Sequence, residues 1–195
     1  MMVKQARAAV TRQALISAAA EVFGADGYAM ATLPAISGRA GVSSGALHFH
    51  FPNKDALAVA VESAAAESVR VLTEECTSAV GGRLQSLVDA VCRLMVAVTS
   101  DPVVRAGFRL GGDPSRKSEA KLYDWWHGWV QEAIAQAYDE GELADGVSAD
   151  DAAVVIVAAT VGLETLGAVD PYWLSAERVS QLWSFALPRL GAAER

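Results

Sequence analysis

The side chains of this chain that could do chemistry lie close together in one segment, residues 33–51, with the sequence LPAISGRAGVSSGALHFHF. Hydroxyl and imidazole groups can hydrogen-bond to base edges and to phosphate, and very small residues let a helix approach a surface closely. The segment combines both kinds of residue, at Ser43, Ser44, Gly45, Ala46, His48 and His50. Their types and spacing predict contact with nucleic acid.

Two short helices joined by a sharp turn would position these groups. Apolar residues stand at the spacings that hold such a pair together, at Ile36, Ala40, Val42 and Leu47. Gly41 lies where the turn needs a positive φ, which glycine adopts at little steric cost. In a helix-turn-helix the second helix lies in the major groove. Thr32 and Lys54 would then flank it at phosphate. An ordinary helix hairpin is the alternative that the spacing leaves open.

The rest of the sequence predicts helices only, about nine in all, so the expected fold class is all-α. Apolar residues recur with helical spacing, and no alternating strand pattern of useful length is present. We expect helix ends at residues that cap or break helices. The expected ends are Gly24 or Gly27, Asn53 to about Cys76, Arg83 to Thr99, Asp101 to Gly111–Gly112, Ser115 to Glu140, Ser148 to Ala168 and Ser175 to Leu190. The helix after Ser148 is apolar on nearly every side and must be covered all round.

Charge and composition narrow the function class. The net charge is −7, yet residues 1–52 carry four basic and two acidic residues, against 12 basic and 21 acidic in residues 53–195. A mildly basic head on an acidic body fits a head that approaches phosphate. Cys76 and Cys92 predict neither a disulfide framework nor a zinc site, and we expect no metal and no cofactor. The longest apolar run is too short to span a bilayer, and we place the protein in the cytoplasm.

Residues 11–57 resemble the tetracycline-repressor family of bacterial regulators. The resemblance rests on Phe23, Gly27-Tyr28, Ala40-Gly41-Val42-Ser43 and the string from Gly45 to Leu57, GALHFHFPNKDAL. It implies that residues 1–52 bind DNA through three helices. Residues 53–195 would form a body for ligand binding and dimerisation, whose last two helices pack against a second subunit. The family usually has tyrosine in place of His48, and often lysine or threonine in place of Ser44.

Within the family, the Phe49-His50-Phe51 form of the motif is similar to the γ-butyrolactone receptors, as is Tyr123 three residues before Trp126. This similarity implies a small-molecule pocket with mostly apolar walls and few polar groups. We expect its lining to include Phe108, Leu122, Trp126, Trp129, Val157, Thr160, Val161 and Glu164. Glu164 needs compensation on so apolar a helix, from an arginine such as Arg109, the dimer partner or a ligand. The tryptophans could instead belong to the core.

These patterns indicate a ligand-responsive repressor, not an enzyme, whose homodimer reads pseudo-palindromic double-stranded operator DNA. Its recognition helices would lie about 34–36 Å apart. A small, largely apolar effector such as a γ-butyrolactone would release the DNA, with the helix from Asn53 as the lever between the two parts. Two alternatives remain. One is a helical metabolite-binding protein or enzyme without DNA binding, and the other is a relative that responds to an antibiotic.

Overall fold

The computed structural model describes residues 2–77, 81–116 and 121–192, and within them the chain is helical. The prediction of an all-α fold with about nine helices is confirmed. A 3-10 helix, Pro171–Leu174, precedes the last α-helix, and a β-bridge joins Leu143 to Gly191. The helices are α1 (Met2–Met30), α2 (Leu33–Arg39), α3 (Ser44–His50), α4 (Lys54–Thr77), α5 (Arg83–Ser100), α6 (Pro102–Gly111), α7 (Lys121–Asp139), α8 (Ala149–Gly167) and α9 (Ala176–Leu190).

Short polar residues begin most of these helices, as the sequence predicted. The side chain of Ser43 accepts from the Ala46 N–H at 3.2 Å, and that of Asn53 accepts from the Ala56 N–H at 2.8 Å. Asp101 accepts from the Val103 N–H at 2.7 Å. Ser148 and Ser175 begin α8 and α9 in the same way. Each bond satisfies a backbone donor that has no partner inside the helix, which fixes where the helix starts.

One predicted helix end is confirmed and one is wrong. At Gly27 the backbone leaves helical geometry, with φ of 75° and ψ of 165°, so the first helical run of α1 ends there, and a second short run continues to Met30. The seventh helix does not begin at Ser115. Both the N–H and the hydroxyl of Ser115 donate to the Asp113 carboxylate, which closes a turn, and α7 is described from Lys121. The expected start of that helix falls partly on residues 117–120, outside the described residues.

The chain divides into two compact units. Unit 1 contains residues 1–68 and 101–122, and unit 2 contains residues 69–100 and 123–195. Unit 1 is built on α1, whose apolar face packs against α6, so Ala106 and Leu110 share a core with Leu15, Phe23, Ile36 and Leu47. The compact unit is therefore larger than residues 1–52. The division of roles at residue 52 stays a prediction.

Unit 1 also contains a close helix approach. A β-carbon added at Gly107 in α6 would lie 2.3 Å from the Ala65 β-carbon in α4. No real pair of carbon atoms approaches so closely, so the absence of a side chain at Gly107 allows the two helices to pack at this distance.

Unit 2 contains α5, α8, α9 and most of α7. The apolar face predicted for α7 is confirmed, because Trp126, Val130, Ala133 and Ala137 are buried while Trp129 is half-buried. The expectation that α8 is covered all round fails in the single chain. The side chains of Val154 and Val155 are 58% and 59% exposed, and Leu166 is 44% exposed.

Candidate nucleic-acid interface and effector site

The α2–α3 pair has the geometry that the sequence predicted. Thr32 begins α2 by accepting from the Ala35 N–H at 3.3 Å, and Gly41 makes the turn with φ of 66°. Ile36 in α2 and Leu47 in α3 are fully buried and hold the two short helices to the core of unit 1. Burial of Leu47 therefore determines which side of α3 faces away from the core of unit 1.

One side of α3 is open to solvent. It is formed by four exposed residues that share one face of the helix, Ser44, Gly45, His48 and Phe49, which we call the outer face. Ala46 and His50 are half-buried, on the side of Leu47. The structure therefore brings Ser44, Gly45 and His48 together as predicted. It turns Ala46 and His50 away from them, because at about 3.6 residues per turn these two positions fall on the opposite face.

Phe49 is the outer-face residue that sequence reasoning missed. Its side chain is 80% exposed, and its ring meets the edge of the His50 ring with centroids 5.1 Å apart. A signal was present in the sequence, since Phe49 follows Gly45 by one helical turn and must share its face. Thr32, one of the two residues predicted to contact phosphate beside α3, is exposed, and its hydroxyl oxygen caps α2.

Lys54 occupies a different place from the predicted phosphate contact. Its ammonium donates to the carbonyl oxygens of Tyr28, Ala29 and Ala31 at 2.7, 3.2 and 3.0 Å. These are carbonyls at the end of α1, where a cation is favoured. Because an ammonium has three donors, all of them are used inside unit 1. The structure gives Lys54 the role of an α1 cap, and a phosphate contact would require one of these bonds to break.

A cluster of charged side chains surrounds the ring of Tyr28. The Lys54 ammonium lies 4.4 Å from the ring centroid and the Arg116 guanidinium 5.0 Å from it. The Arg116 side chain is 2% exposed and contacts the carboxylates of Glu62 at 2.9 Å and Asp55 at 3.4 Å. These carboxylates hold the pKa of Arg116 above its ordinary value although burial alone would lower it. The cluster ties the turn after α6 to α1 and α4.

Two of the predicted effector residues meet in unit 2. The indole N–H of Trp126 in α7 donates to the hydroxyl of Thr160 in α8 at 3.1 Å, and both side chains are buried. The Thr160 hydroxyl in turn donates to the Ile156 carbonyl at 2.9 Å. Trp129 stacks on Trp126 with ring centroids 5.4 Å apart and an interplanar angle of 21°. The expected neighbours Val157 and Val161 are half-buried on α8.

Glu164 lies one helical turn beyond Thr160 and is 6% exposed. The hydroxyl of Tyr123 donates to its carboxylate at 3.2 Å. Burial in the first place, and the nearby Glu164 charge in the second, raise the pKa of Tyr123, so the phenol stays a proton donor. The suggested partner Arg109 instead donates to the carbonyl of Gly24 in unit 1.

The other predicted lining residues, Phe108 and Leu122, are buried in unit 1, each 2% exposed. That these two and the six residues of unit 2 line one pocket stays a prediction. Unit 1 has a cleft of about 410 Å³ beside Gly27 and Arg109, and unit 2 has one of about 460 Å³ between α8 and α9. Neither of these two clefts is lined by a predicted effector residue.

In the part of the chain that the structure describes, no group of three histidine, cysteine, aspartate or glutamate side chains is placed to hold a metal ion. Among the same residues, no helix combines the length and apolar character needed to cross a membrane. Cys76 is buried and Cys92 is half-buried, and burial raises the pKa of both thiols.

Comparison with known proteins agrees with this geometry. Residues 15–61 match the family described as bacterial regulatory proteins, tetR family. The chain is 30% identical to the A-factor receptor protein of Streptomyces griseus over 190 residues. This alignment covers 97% of this chain and 67% of the relative.

Solved structures with this architecture cover nearly the whole chain. A γ-butyrolactone receptor described as ArpA-like is similar with a TM-score of 0.82 and 25% identity, over 95% of this chain and 90% of that one. The tetR-family protein CprB of Streptomyces coelicolor A3(2) has a TM-score of 0.81 and 26% identity, over 97% and 92%. CprB has also been solved in complex with its biological operator sequence. The chain belongs to the tetR family of bacterial regulatory proteins and, within it, groups with the A-factor and γ-butyrolactone receptors.

Proposed function

We propose that this chain is a transcriptional repressor that binds a pseudo-palindromic operator as a homodimer and is released by a small, largely apolar effector of the γ-butyrolactone type. The observation that carries the proposal is that the outer face of α3 is exposed to solvent. Gly41 makes the turn that precedes this helix, and residues 15–61 match the tetR family. The complex of CprB with its operator supports duplex DNA as its partner. We also infer that the protein is not an enzyme, since its relatives are regulators, and that it acts in the cytoplasm, where bacterial DNA lies.

The homodimer is supported by the surface of unit 2. Apolar side chains stand in water along α8 and α9, at Val154, Val155, Leu166 and Phe185. Contiguous exposed apolar surface is typical of a protein interface. In this proposal residues 1–52 supply the DNA-binding part and residues 53–195 the ligand-binding and dimerisation part. Two recognition helices about 34–36 Å apart would then read successive major grooves.

The effector is proposed to bind among the α7 and α8 side chains around Trp126 and Thr160. An aromatic wall with the hydroxyls of Thr160 and Tyr123 and the carboxylate of Glu164 nearby suits a mostly apolar ligand with few polar groups. The effector must prefer one of two conformers, because equal affinity for both would shift nothing. Helix α4 is the proposed lever, since residues 54–68 lie in unit 1 and residues 69–77 in unit 2. A cross-link that fixes the spacing of the two heads should abolish release by the effector.

The test is a mobility-shift titration on the DNA that flanks the gene, with and without a mixture of γ-butyrolactones. A shift that the lactones reverse supports both parts of the proposal. A shift that they leave unchanged keeps the repressor and rejects the effector, in favour of another ligand such as an antibiotic. Absence of a shift at low salt rejects DNA binding and favours the metabolite-binding alternative. True operator binding should also weaken steeply as salt rises.

Two matched variants test whether the outer face of α3 contacts the DNA. His48→Glu adds a carboxylate at an exposed outer-face position, where the negatively charged phosphates of DNA would repel it. Gln131→Glu adds the same charge at an exposed position of α7 in unit 2. We expect the first variant to lose the shift and the second to keep it. Equal binding by both variants would remove α3 as the recognition helix.

A further inference from the structure

The side chain of Phe49 is exposed to solvent at the end of α3. It is 80% exposed, and its ring meets that of His50 with centroids 5.1 Å apart. Leu47, two positions earlier, is 1% exposed and supplies the packing of this helix. Exposing a phenyl ring to water is unfavourable, and this ring lies on the face of α3 that also presents Ser44 and His48.

The neighbours of Phe49 define what that contact can be. Ser44 and His48, on the same outer face, carry groups that can hydrogen-bond to base edges or to phosphate. A phenyl ring has neither a donor nor an acceptor, so it gains little from a phosphate oxygen or from the polar edge of a base. In the major groove, thymine alone among the four bases presents an apolar group, its C5-methyl.

The space around the ring fits such a contact. Gly45 precedes Phe49 by one helical turn on the outer face, so the position next to Phe49 on its N-terminal side carries no side chain. A β-carbon built at Gly45 would meet only the Ser43 hydroxyl oxygen, at 4.0 Å. The ring is therefore flanked by open backbone, where a base edge can approach it without obstruction by a side chain.

We propose that the phenyl ring of Phe49 reads the C5-methyl group of one thymine in each half of the operator. This inference rests on the proposed function and adds a base specificity to it. An aromatic wedge inserted between base pairs is the main competing use of such a ring, but wedges are typical of proteins that bind the minor groove. A helix-turn-helix presents α3 to the major groove, where the methyl group lies.

The test removes single methyl groups from the DNA. Binding sites are first selected from a pool of random duplexes with the full-length protein. Each thymine of the selected site is then replaced by deoxyuridine, which lacks only the methyl group. We expect one symmetric pair of positions to be sensitive. Loss of one buried methyl lowers affinity by about fourfold, and loss of both by about sixteenfold if the half-sites act independently.

Protein variants tested on the same thymine and deoxyuridine duplexes show whether the methyl group is read by Phe49. Phe49→Ala should bind the selected site more weakly and should bind the thymine and deoxyuridine duplexes equally. Phe49→Leu, which stays apolar, should keep part of the discrimination. His48→Ala serves as the matched outer-face control and should keep the full discrimination while losing affinity. Because the ring is mostly exposed, Phe49→Ala should unfold at the same temperature as the unaltered protein, which separates recognition from folding.

Two results would overturn the inference. The unaltered protein could bind thymine and deoxyuridine sites equally at every position, or Phe49→Ala could keep the discrimination. If the unaltered protein is insensitive to deoxyuridine and Phe49→Ala still loses affinity, the ring contacts DNA as a wedge and not through a methyl group. Recovery of no DNA from the pool at low salt is distinct from these, because it would reject the proposed function itself.

Discussion

Replacing Arg116 by methionine should destabilise the protein far more than loss of any surface ion pair. Methionine keeps most of the apolar stem and removes the guanidinium, which lies 5.0 Å from the centroid of the Tyr28 ring. The Arg116 side chain is 2% exposed, its strongest contact is with the Glu62 carboxylate at 2.9 Å, and Glu62 is itself 13% exposed. The variant therefore removes a cationic partner from a carboxylate that is largely shielded from water.

The magnitude follows from this burial. Removing one partner of a buried ion pair costs about 3–5 kcal/mol. Because water still reaches Glu62, which is 13% exposed, and because Asp55 is 66% exposed, we expect a loss of free energy of unfolding near the lower end of this range, about 3 kcal/mol. For a chain of this size that corresponds to a fall in unfolding temperature of about 6–12 °C.

The assay is urea unfolding followed by circular dichroism at one fixed protein concentration, since association would otherwise shift the midpoint. Arg39→Met is the matched control. Arg39 lies 3.3 Å from Glu21 in the same unit, but the two side chains are 57% and 44% exposed. Such a pair contributes less than about 1 kcal/mol. If Arg116→Met loses no more free energy of unfolding than Arg39→Met, the burial argument is refuted.

Three further predictions concern the packing and chemistry of the two units. Gly107→Ala should lower the free energy of unfolding by about 1–3 kcal/mol, measured by urea unfolding, because its methyl would overlap Ala65; an unchanged stability would contradict the close approach. Thr160→Val should cost about 1–3 kcal/mol because the buried Trp126 N–H loses its acceptor, and Thr160→Ser should restore most of it. The Cys76 thiol should react with a thiol reagent much more slowly than free cysteine at neutral pH, because burial raises its pKa and limits access; reaction at the free-cysteine rate would refute this.

Local rules carried the sequence analysis a long way. The caps at Ser43, Asn53 and Asp101 and the turn at Gly41 depend on residues within a few positions of one another. Such features can be recognised from the order of residues alone, because their hydrogen bonds and backbone angles are set locally. The same reasoning gave the helical class and most helix boundaries.

Contacts between distant residues were not accessible in this way. Lys54 was expected at phosphate because its carbonyl partners, 23 to 26 positions earlier, are invisible in a local pattern. The ion pair of Arg116 with Glu62 spans 54 positions, and no spacing rule predicts it. Phe49 on the outer face of α3 was missed for another reason. Listing neighbours along the chain placed Ala46 and His50 with Ser44, whereas helical geometry puts Phe49 there instead.

The discontinuity of unit 1 bears on how regulators of this kind can be recombined. Residues 101–122 return to complete it, and Ala106 and Leu110 of α6 sit in the same core as α1. A chimera cut after residue 52 would leave the apolar face of α1 against a foreign α6. A nascent chain likewise cannot finish this core until α6 has left the ribosome. A transplant of DNA specificity therefore has to carry α6 with it, or to exchange only the outer-face residues of α3.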